Sequence, residues 1–463
     1  MFSGLMFYLF NINSAKHVQN NIQMTEVTMS TSKHDAFWMP FTANRQFKAE
    51  PRLMVSAEGM YYQTEDGRNV LDGTAGLWCV NAGHGRKRIS EAVAKQIQQL
   101  DFAPTFQMGH PLPFELAERL VKHTPDGLNR VFFTNSGSES ADTSLKIAIA
   151  YHKAKGNHGK TRLIGREKGY HGTNFGGISV GGLGNNRKSF GSLLTGVDHL
   201  KHAWKPGSEF TKGLPEDGAE MADELLDMIA LHGAETIAAV IVEPIVGSGG
   251  VFMPPQGYLK RLRQITEQHD ILLIFDEVIT GFGRVGEAFA SNRMGVTPDI
   301  MNTAKGLTNG AIPMGAVFLQ DFIYDAFMQG PEEIIELFHG YTYSGHPVAA
   351  AAGLATLDIY EEENLFQKAL QLESYWQESL HKLREHGVVK DIRNYGLVGA
   401  IELHSSEKFG ERGYKIFNHC YWKQNALVRC TGDTIAMSPP LILEESHIDE
   451  LMNALSKSLS NAL

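Results

Sequence analysis

Four runs of consecutive apolar residues, each closing on polar ones, limit what this chain can fold into more than any other feature: RVFFT (130–134), TRLIGR (161–166), AAVIVEP (238–244) and ILLIFDE (271–277). A strand with one face in water alternates apolar and polar side chains, whereas an unbroken run of this length belongs to a strand covered on both faces. Segments such as RISEAVAKQIQQL and PFELAERLVKHT place apolar residues at helical spacing. Helices alternating with buried strands predict an α/β fold, with a mostly parallel central sheet and helices on both faces. In such sheets ligands bind at the carboxyl ends of the strands, so the polar residues that close the runs are the ones to weigh.

The flanks read differently. From about Asp35 to Asp72 short strands and turns are expected, with VSAEGMYYQTEDGRNVLDG as a hairpin around Asp66-Gly67. After Pro347, VAAAAGLATLDIYEEENLFQKALQLESYWQESLHKLREHG reads as one or two long helices. The remainder mixes strand and helix and is expected to join the N-terminal strands in a smaller domain. The opening MFSGLMFYLF is apolar, but ten residues are too few to span a bilayer, no positive charge precedes them and no A-x-A site follows. An N-terminal extension, disordered or non-native, with a start at Met24 or Met29, is the expectation.

Composition narrows the class. Charged residues make up 20% and hydrophobic ones 43%, as in ordinary globular domains, and the 463 residues amount to roughly three domains of about 150 each. A net charge of −10 argues against a nucleic-acid or anionic-membrane binder. Cys79, Cys420 and Cys430 lack zinc-ligand spacing and cannot complete a disulfide framework, so no metal site is expected and a reducing, cytoplasmic setting is.

The chemistry-bearing segments fall in a fixed order. RVFFTNSGSESADTSLKIAIA is a strand, a small-residue loop and a helix; Ser136-Gly137-Ser138 would aim backbone N–H groups and hydroxyls at an anion, a phosphate being the natural guest. The same residues could equally be an N-cap and a turn. Asp276 and Glu277 end a buried strand, where a carboxylate needs a partner: an arginine, a helix N-terminus or a protonated ring nitrogen. Lys305, between an apolar stretch and a glycine-rich turn, would lose proton affinity by desolvation and could then form a Schiff base, although a lysine in a loop is ordinarily a surface residue. Tyr170, in Tyr170-His171-Gly172, is either a core aromatic or a ring that stacks on a flat heterocycle. Gly281-Phe-Gly283-Arg-Val-Gly286 matches G-x-G-x-x-G, which raises a nicotinamide-dependent oxidoreductase. Five residues separate its first glycine from the strand end, and no acid-terminated second strand follows at the expected distance, so these glycines read as turn formers.

Taken together, TNSGSES, GYHG, VEPI, FDEVITGFGR, TAKGLTNG and HGYTYSGHP resemble the class III aminotransferases of pyridoxal-phosphate (PLP) fold type I, over about residues 35–460. FWMPFTANRQFK, AGLWCVNAGHG, LDFAPTFQMGHP and VRCTGDT are similar to the ω-amino acid (β-alanine):pyruvate branch. The resemblance implies PLP as cofactor and an amino group moved from an ω-amino acid or amine to pyruvate. It implies a large domain over 76–345, and a small domain from 346–463 with a contribution from 35–75. Lys305 would form the Schiff base with the cofactor, and Asp276 would keep the pyridine nitrogen protonated. Val278 and Tyr170 would flank the ring, and Ser136, Gly137 and Ser138 would hold the phosphate. Thr342 would reach the phosphate in the neighbouring subunit, which implies a homodimer or dimer-based tetramer. Trp78 and Arg429 would meet the substrate, the arginine pairing with a carboxylate. Two departures bear on specificity: EPIVGSGG, with Val246 and Ser248, stands where glutamate-coupled relatives often read EPIQGEGG, and Ala436 stands where β-alanine–pyruvate enzymes tend to carry a glutamine. The first favours pyruvate as acceptor; the second leaves room for aryl or alkyl amines as donors. An aminomutase or a decarboxylating aminotransferase of the same fold is the nearest alternative.

Overall fold

In the computed structural model, which describes residues 34–461, the four apolar runs are strands of one seven-stranded sheet, with AAVIVEP and ILLIFDE near its middle and RVFFT, less buried than the run implied, at one edge. Its strands are β1 (Arg130–Thr134), β2 (Arg162–Arg166), β3 (Val197–Leu200), β4 (Ile237–Val242), β5 (Leu272–Asp276), β6 (Ile300–Thr303) and β7 (Gly315–Leu319), in the order β1-β7-β6-β5-β4-β2-β3. From β3 across to β6 every pairing is parallel. Strand β7 alone runs the other way, antiparallel to both β6 and β1.

Burial explains the unbroken runs. Every residue of β4 and β5 is buried, and alternate side chains enter different cores. Val240, Val242, Leu273 and Phe275 pack with Leu262 and Ile265 of the helix Tyr258–Gln268. Ala239, Ile241, Leu272 and Ile274 pack with Leu145, Ile147 and Ala148 of the helix Gly137–Ala154. Each such aliphatic side chain contributes on the order of 1.5–3 kcal/mol. A polar residue inside either strand would lose that gain on whichever face it met.

Two four-stranded sheets come from the flanks. Met54–Glu58, Tyr61–Thr64 and Asn69–Asp72 form a meander, longer by one strand than the expected hairpin, and Ala426–Leu427 adds to it in parallel. The turn at Asp66-Gly67 is where the sequence puts it, with Gly67 at φ 84°. Val389–Tyr395, Val398–Leu403, Thr434–Met437 and Arg429–Thr431 make the other sheet. The stretch after Pro347 is two helices, Pro347–Glu362 and Leu365–His381, broken at Asn364 with φ 52°.

Of the described residues, those from Met54 onward form one compact unit and those from His34 to Leu53 belong to another, with a short helix Asn44–Ala49. The extension expected over 1–34, with its apolar opening and starts at Met24 or Met29, lies outside the described residues except for His34. Among the described residues no helix is long and apolar enough to cross a membrane.

Candidate active site

At the carboxyl ends of the central strands a cavity is lined by Gly137, Ser138, Tyr170, Gly172, Glu243, Asp276, Val278, Ile279, Ala304 and Lys305. Six of the ten expected site residues are among them: Gly137, Ser138, Tyr170, Asp276, Val278 and Lys305.

Lys305 follows β6 and opens a short 3-10 turn, with its backbone at φ 47° in the left-handed region. One side of its chain faces the cavity and the rest is surrounded by protein. Burial lowers its ammonium from 10.5 to about 8, against the opposing pull of Asp276, Cys79 and Glu243. An amine in that range is a usable nucleophile and proton carrier near neutral pH.

Asp276 ends β5 and is 5% exposed. Its Oδ2 accepts from His171 Nδ1 at 2.8 Å and its Oδ1 from the Val278 backbone N–H at 3.2 Å. The next residue does something else: Glu277 turns away from the cavity and accepts from the Ala290 and Ser291 N–H groups at 2.5 and 2.7 Å and from Thr280 Oγ1 at 2.8 Å. Adjacent strand residues face opposite sides, so one acid serves the cavity and the other ties down a turn.

The 18-residue helix Gly137–Ala154 begins at the cavity. Ser136 is its N-cap, accepting from the Glu139 N–H at 3.2 Å, and Ser138 Oγ accepts from the Thr173 N–H at 3.1 Å. Ser136 thus does the capping that the sequence allowed, while Gly137 and Ser138 reach the cavity. The free N–H groups and dipole of the first turn favour an anion there. The loop 169–174 packs so closely that a Cβ on Gly172, at φ 90°, would lie 2.5 Å from Ser138 Cα.

Arg429 lies on the strand Arg429–Thr431, directly opposite Ala436 in the antiparallel register. Burial lowers its guanidinium and the Tyr170 hydroxyl partly compensates. Its Nε is buried with no protein partner, and no carboxylate of the described residues forms an ion pair with it. A guanidinium left open beside Tyr170 suits an incoming carboxylate. Trp78 is buried among Ile245, Ile279, Val398 and Ala436, next to Ile279 of the cavity wall but not itself part of the lining. Thr342 is exposed and away from this cavity; its expected role belongs to a second subunit.

Glu243, Gly172, Ile279 and Ala304 line the cavity without having been assigned a part by the sequence. Glu243, in VEPI, accepts from the Tyr170 and Gly247 N–H groups, both at 2.9 Å, and burial raises its carboxyl. The glycines of GFGRVG run through turns without opening a helix. They fold around the buried Arg284, whose guanidinium donates to Asn81 Oδ1 at 2.7 Å and to the Pro439 carbonyl at 2.5 Å. These are turn formers, as their distance from the strand end implies. Among the described residues no group of His, Cys, Asp and Glu is placed to hold a metal ion. An amine, an anchored carboxylate and a helix N-terminus around one cavity suit a flat ring that carries an aldehyde, a basic nitrogen and a phosphate.

Residues 42–459 match the family model described as aminotransferase class-III. The chain is 60% identical over 427 residues to an omega-aminotransferase of Caulobacter vibrioides, covering 92% of this chain and 97% of that protein. It is 51% identical over 433 residues to a beta-alanine–pyruvate aminotransferase of Pseudomonas aeruginosa, covering 92% and 95%. Among solved structures it is similar, at a TM-score of 0.87 and 37% identity, to an (S)-enantioselective omega-transaminase of Thermomicrobium roseum, over 92% of this chain and 96% of that one. An amine transaminase from an uncultivated Pseudomonas species, solved in a PLP-bound form, gives 0.85 and 37%, over 92% and 99%.

Proposed function

The chain belongs to the class III aminotransferases, and from that premise we propose that it moves the amino group of an ω-amino acid or simple amine to pyruvate, using PLP held around Lys305. The products are alanine and an aldehyde or ketone. The observation that carries this reading is the buried Lys305 amine, lowered to about 8, in one cavity with Asp276 and the first turn of the helix Gly137–Ala154.

Bound PLP supplies an aldehyde that captures amines and a ring that accepts electrons from the donor carbon. The chain does the rest. Lys305 Nζ would hold the cofactor and, as an amine of lowered proton affinity, would serve as the general base and acid that carries the donor carbon's proton. Asp276, which lines the cavity, would accept from a protonated ring nitrogen and hold the proton there. Gly137 and Ser138 would take the phosphate at the helix N-terminus that Ser136 caps, and Val278 and Tyr170 would flank the ring. Arg429 pairs with the carboxylate of pyruvate or of an ω-amino acid, and Trp78 backs the apolar side of the substrate space. Thr342 of the partner subunit completes the phosphate site, which makes the working unit a homodimer or a dimer-based tetramer. Residues 76–345 form the large domain in this reading, and all seven strands of the central sheet fall inside it. Cys79, Cys420 and Cys430 are free thiols, in keeping with a cytoplasmic site of action.

Aryl and alkyl amines are favoured as donors by Ala436. It faces Arg429 in register and packs with Trp78 and Ile279, so it adds no polar group to that wall. The test is alanine formed from pyruvate with a panel of β-alanine, other ω-amino acids and simple amines, using the purified PLP-loaded protein. Alanine should accumulate with at least one donor, and Lys305→Ala should abolish it. No alanine with any donor, or undiminished turnover in Lys305→Ala, overturns the proposal.

A further inference from the structure

We propose that Asp72 and His84 are positioning residues for Trp78: their hydrogen bond closes the segment 73–83 on itself, and so sets where the indole stands and which amine donors fit. The inference deepens the proposed function and rests on its placement of Trp78 beside the substrate space.

No polar contact of its own holds the indole. Trp78 is 3% exposed, its Nε1 is buried with no protein partner, and its neighbours Ile279, Val398 and Ala436 are apolar. Apolar packing is non-directional, so the backbone that carries the ring decides its place. That backbone is irregular. Ala75, Gly76 and Trp78 have φ of 45°, 65° and 66°, a left-handed region that a residue with a side chain enters at a cost. Gly76 combines its φ with ψ −100°, a conformation that glycine alone adopts readily. A segment wound this way persists where its surroundings over-determine it.

Asp72 does so from below. It ends the strand Asn69–Asp72 and is fully buried. Its Oδ1 accepts from the Thr74 N–H and hydroxyl, both at 2.9 Å, and its Oδ2 from the Gly76 N–H at 2.7 Å. The fourth donor comes from the far end of the segment. His84 Nε2 lies 2.7 Å from Oδ2, and since a carboxylate only accepts, that nitrogen carries the proton. A buried carboxylate short of donors is costly, so all four contacts reinforce one another. His84 is itself fixed by the Tyr62 ring, with 4.3 Å between centroids, and by backbone hydrogen bonds with Gly59 in both directions. One oxygen thus joins the turn at Gly76 to the anchored residue at His84, with Trp78 between them.

The experiment uses the PLP-loaded protein with the bulkiest and the smallest amine that the wild type turns over with pyruvate, and reads kcat and KM for each. His84→Phe keeps a ring against Tyr62 and removes the donor; His84→Gln can return an N–H to the Nε2 position. His84→Phe should bind PLP and hold kcat with the smallest amine, while kcat/KM for the bulkiest falls about tenfold, chiefly through KM, near the lower worth of a hydrogen bond to a charged group. His84→Gln should recover most of that loss. In a Trp78→Ala background, His84→Phe should alter the ratio between the two donors no further. An unchanged ratio in His84→Phe, equal losses with both donors, or the same change with and without Trp78 overturns the positioning role. If His84→Phe does not fold, His84→Ala takes its place under the same criteria. Trp78→Ala that keeps the wild-type donor ratio would instead overturn the placement of Trp78 beside the substrate. Wild-type protein that forms no alanine with any amine would overturn the proposed function, and this inference falls with either.

Discussion

At the scale of single residues the proposed chemistry depends on an amine kept where its charged form is disfavoured. Lys305 falls from 10.5 to about 8, chiefly by burial. The folded state therefore holds this proton less tightly than the unfolded chain does. Below about pH 8 the cost of burying the cation is fully present, and it fades as pH rises from about 8 toward 10.5. Lys305→Met in the cofactor-free protein should thus be more stable than the parent at pH 7, by about 3 kcal/mol, with the advantage shrinking by pH 10.5. Thermal unfolding of both proteins at the two pH values measures it; an advantage equal at both would contradict the assignment. Asp276 and the serines were legible in the sequence because they close or follow strands that the apolar runs announce, and Lys305 because it stands between an apolar stretch and a glycine-rich turn, third in order after the serine loop and the strand-end acid. His171 and Glu243 stood in quoted motifs, GYHG and VEPI, but had no legible role. Their partners are Asp276, 105 positions away from His171, and the Tyr170 N–H, 73 positions away from Glu243. No linear pattern encodes such pairings.

At the scale of elements, the short strands set the precision of the site. Gly165, within β2, lies against the end of the helix Phe175–Val180: a Cβ there would be 1.8 Å from the Val180 carbonyl oxygen and 2.8 Å from its carbon. The obstacle is backbone and cannot swing aside. Gly165→Ala should cost about 3 kcal/mol or more and push the helix outward, along with the loop 169–174 that precedes it. A lowered unfolding temperature together with weaker PLP retention is the expected result; an unchanged unfolding temperature would refute it. TRLIGR shows the strand but not this contact, because close backbone approach leaves no mark on hydrophobic periodicity. Strands β3 and β6, VDHL and IMNT, were not separately legible for a related reason: four residues with polar ones among them make no unbroken apolar run. The reversed direction of β7 comes with its antiparallel pairing to β6, the strand just before it, and to β1, which is remote in sequence.

At the scale of the whole molecule, the α/β class was readable from the doubly covered strands alone, and assembly was not. Near the start of the helix Pro111–Leu120 an apolar cleft is lined by Phe106, Met108, Phe114 and Phe132 together with His339 and Gly345. Phe106, Met108 and Phe114 are largely exposed in the single chain, Phe114 at 69%. Apolar area of this kind is a common mark of association, and the exposed Thr342 sits in the same 339–345 segment. If this face joins two copies, Phe114→Asp should move the protein from twice the chain mass to one chain mass in light scattering and weaken PLP retention. A variant that stays dimeric and active would place the interface elsewhere. The residues concerned lie in LDFAPTFQMGHP and HGYTYSGHP, where no periodicity marks them as a surface. Lys305 occupies a left-handed backbone conformation, φ 47°, that a residue with a side chain tolerates only at a cost of about 1–2 kcal/mol. A descendant released from selection for turnover would find glycine at that position an improvement in foldability, so drift at this site would favour a sturdier and catalytically silent protein.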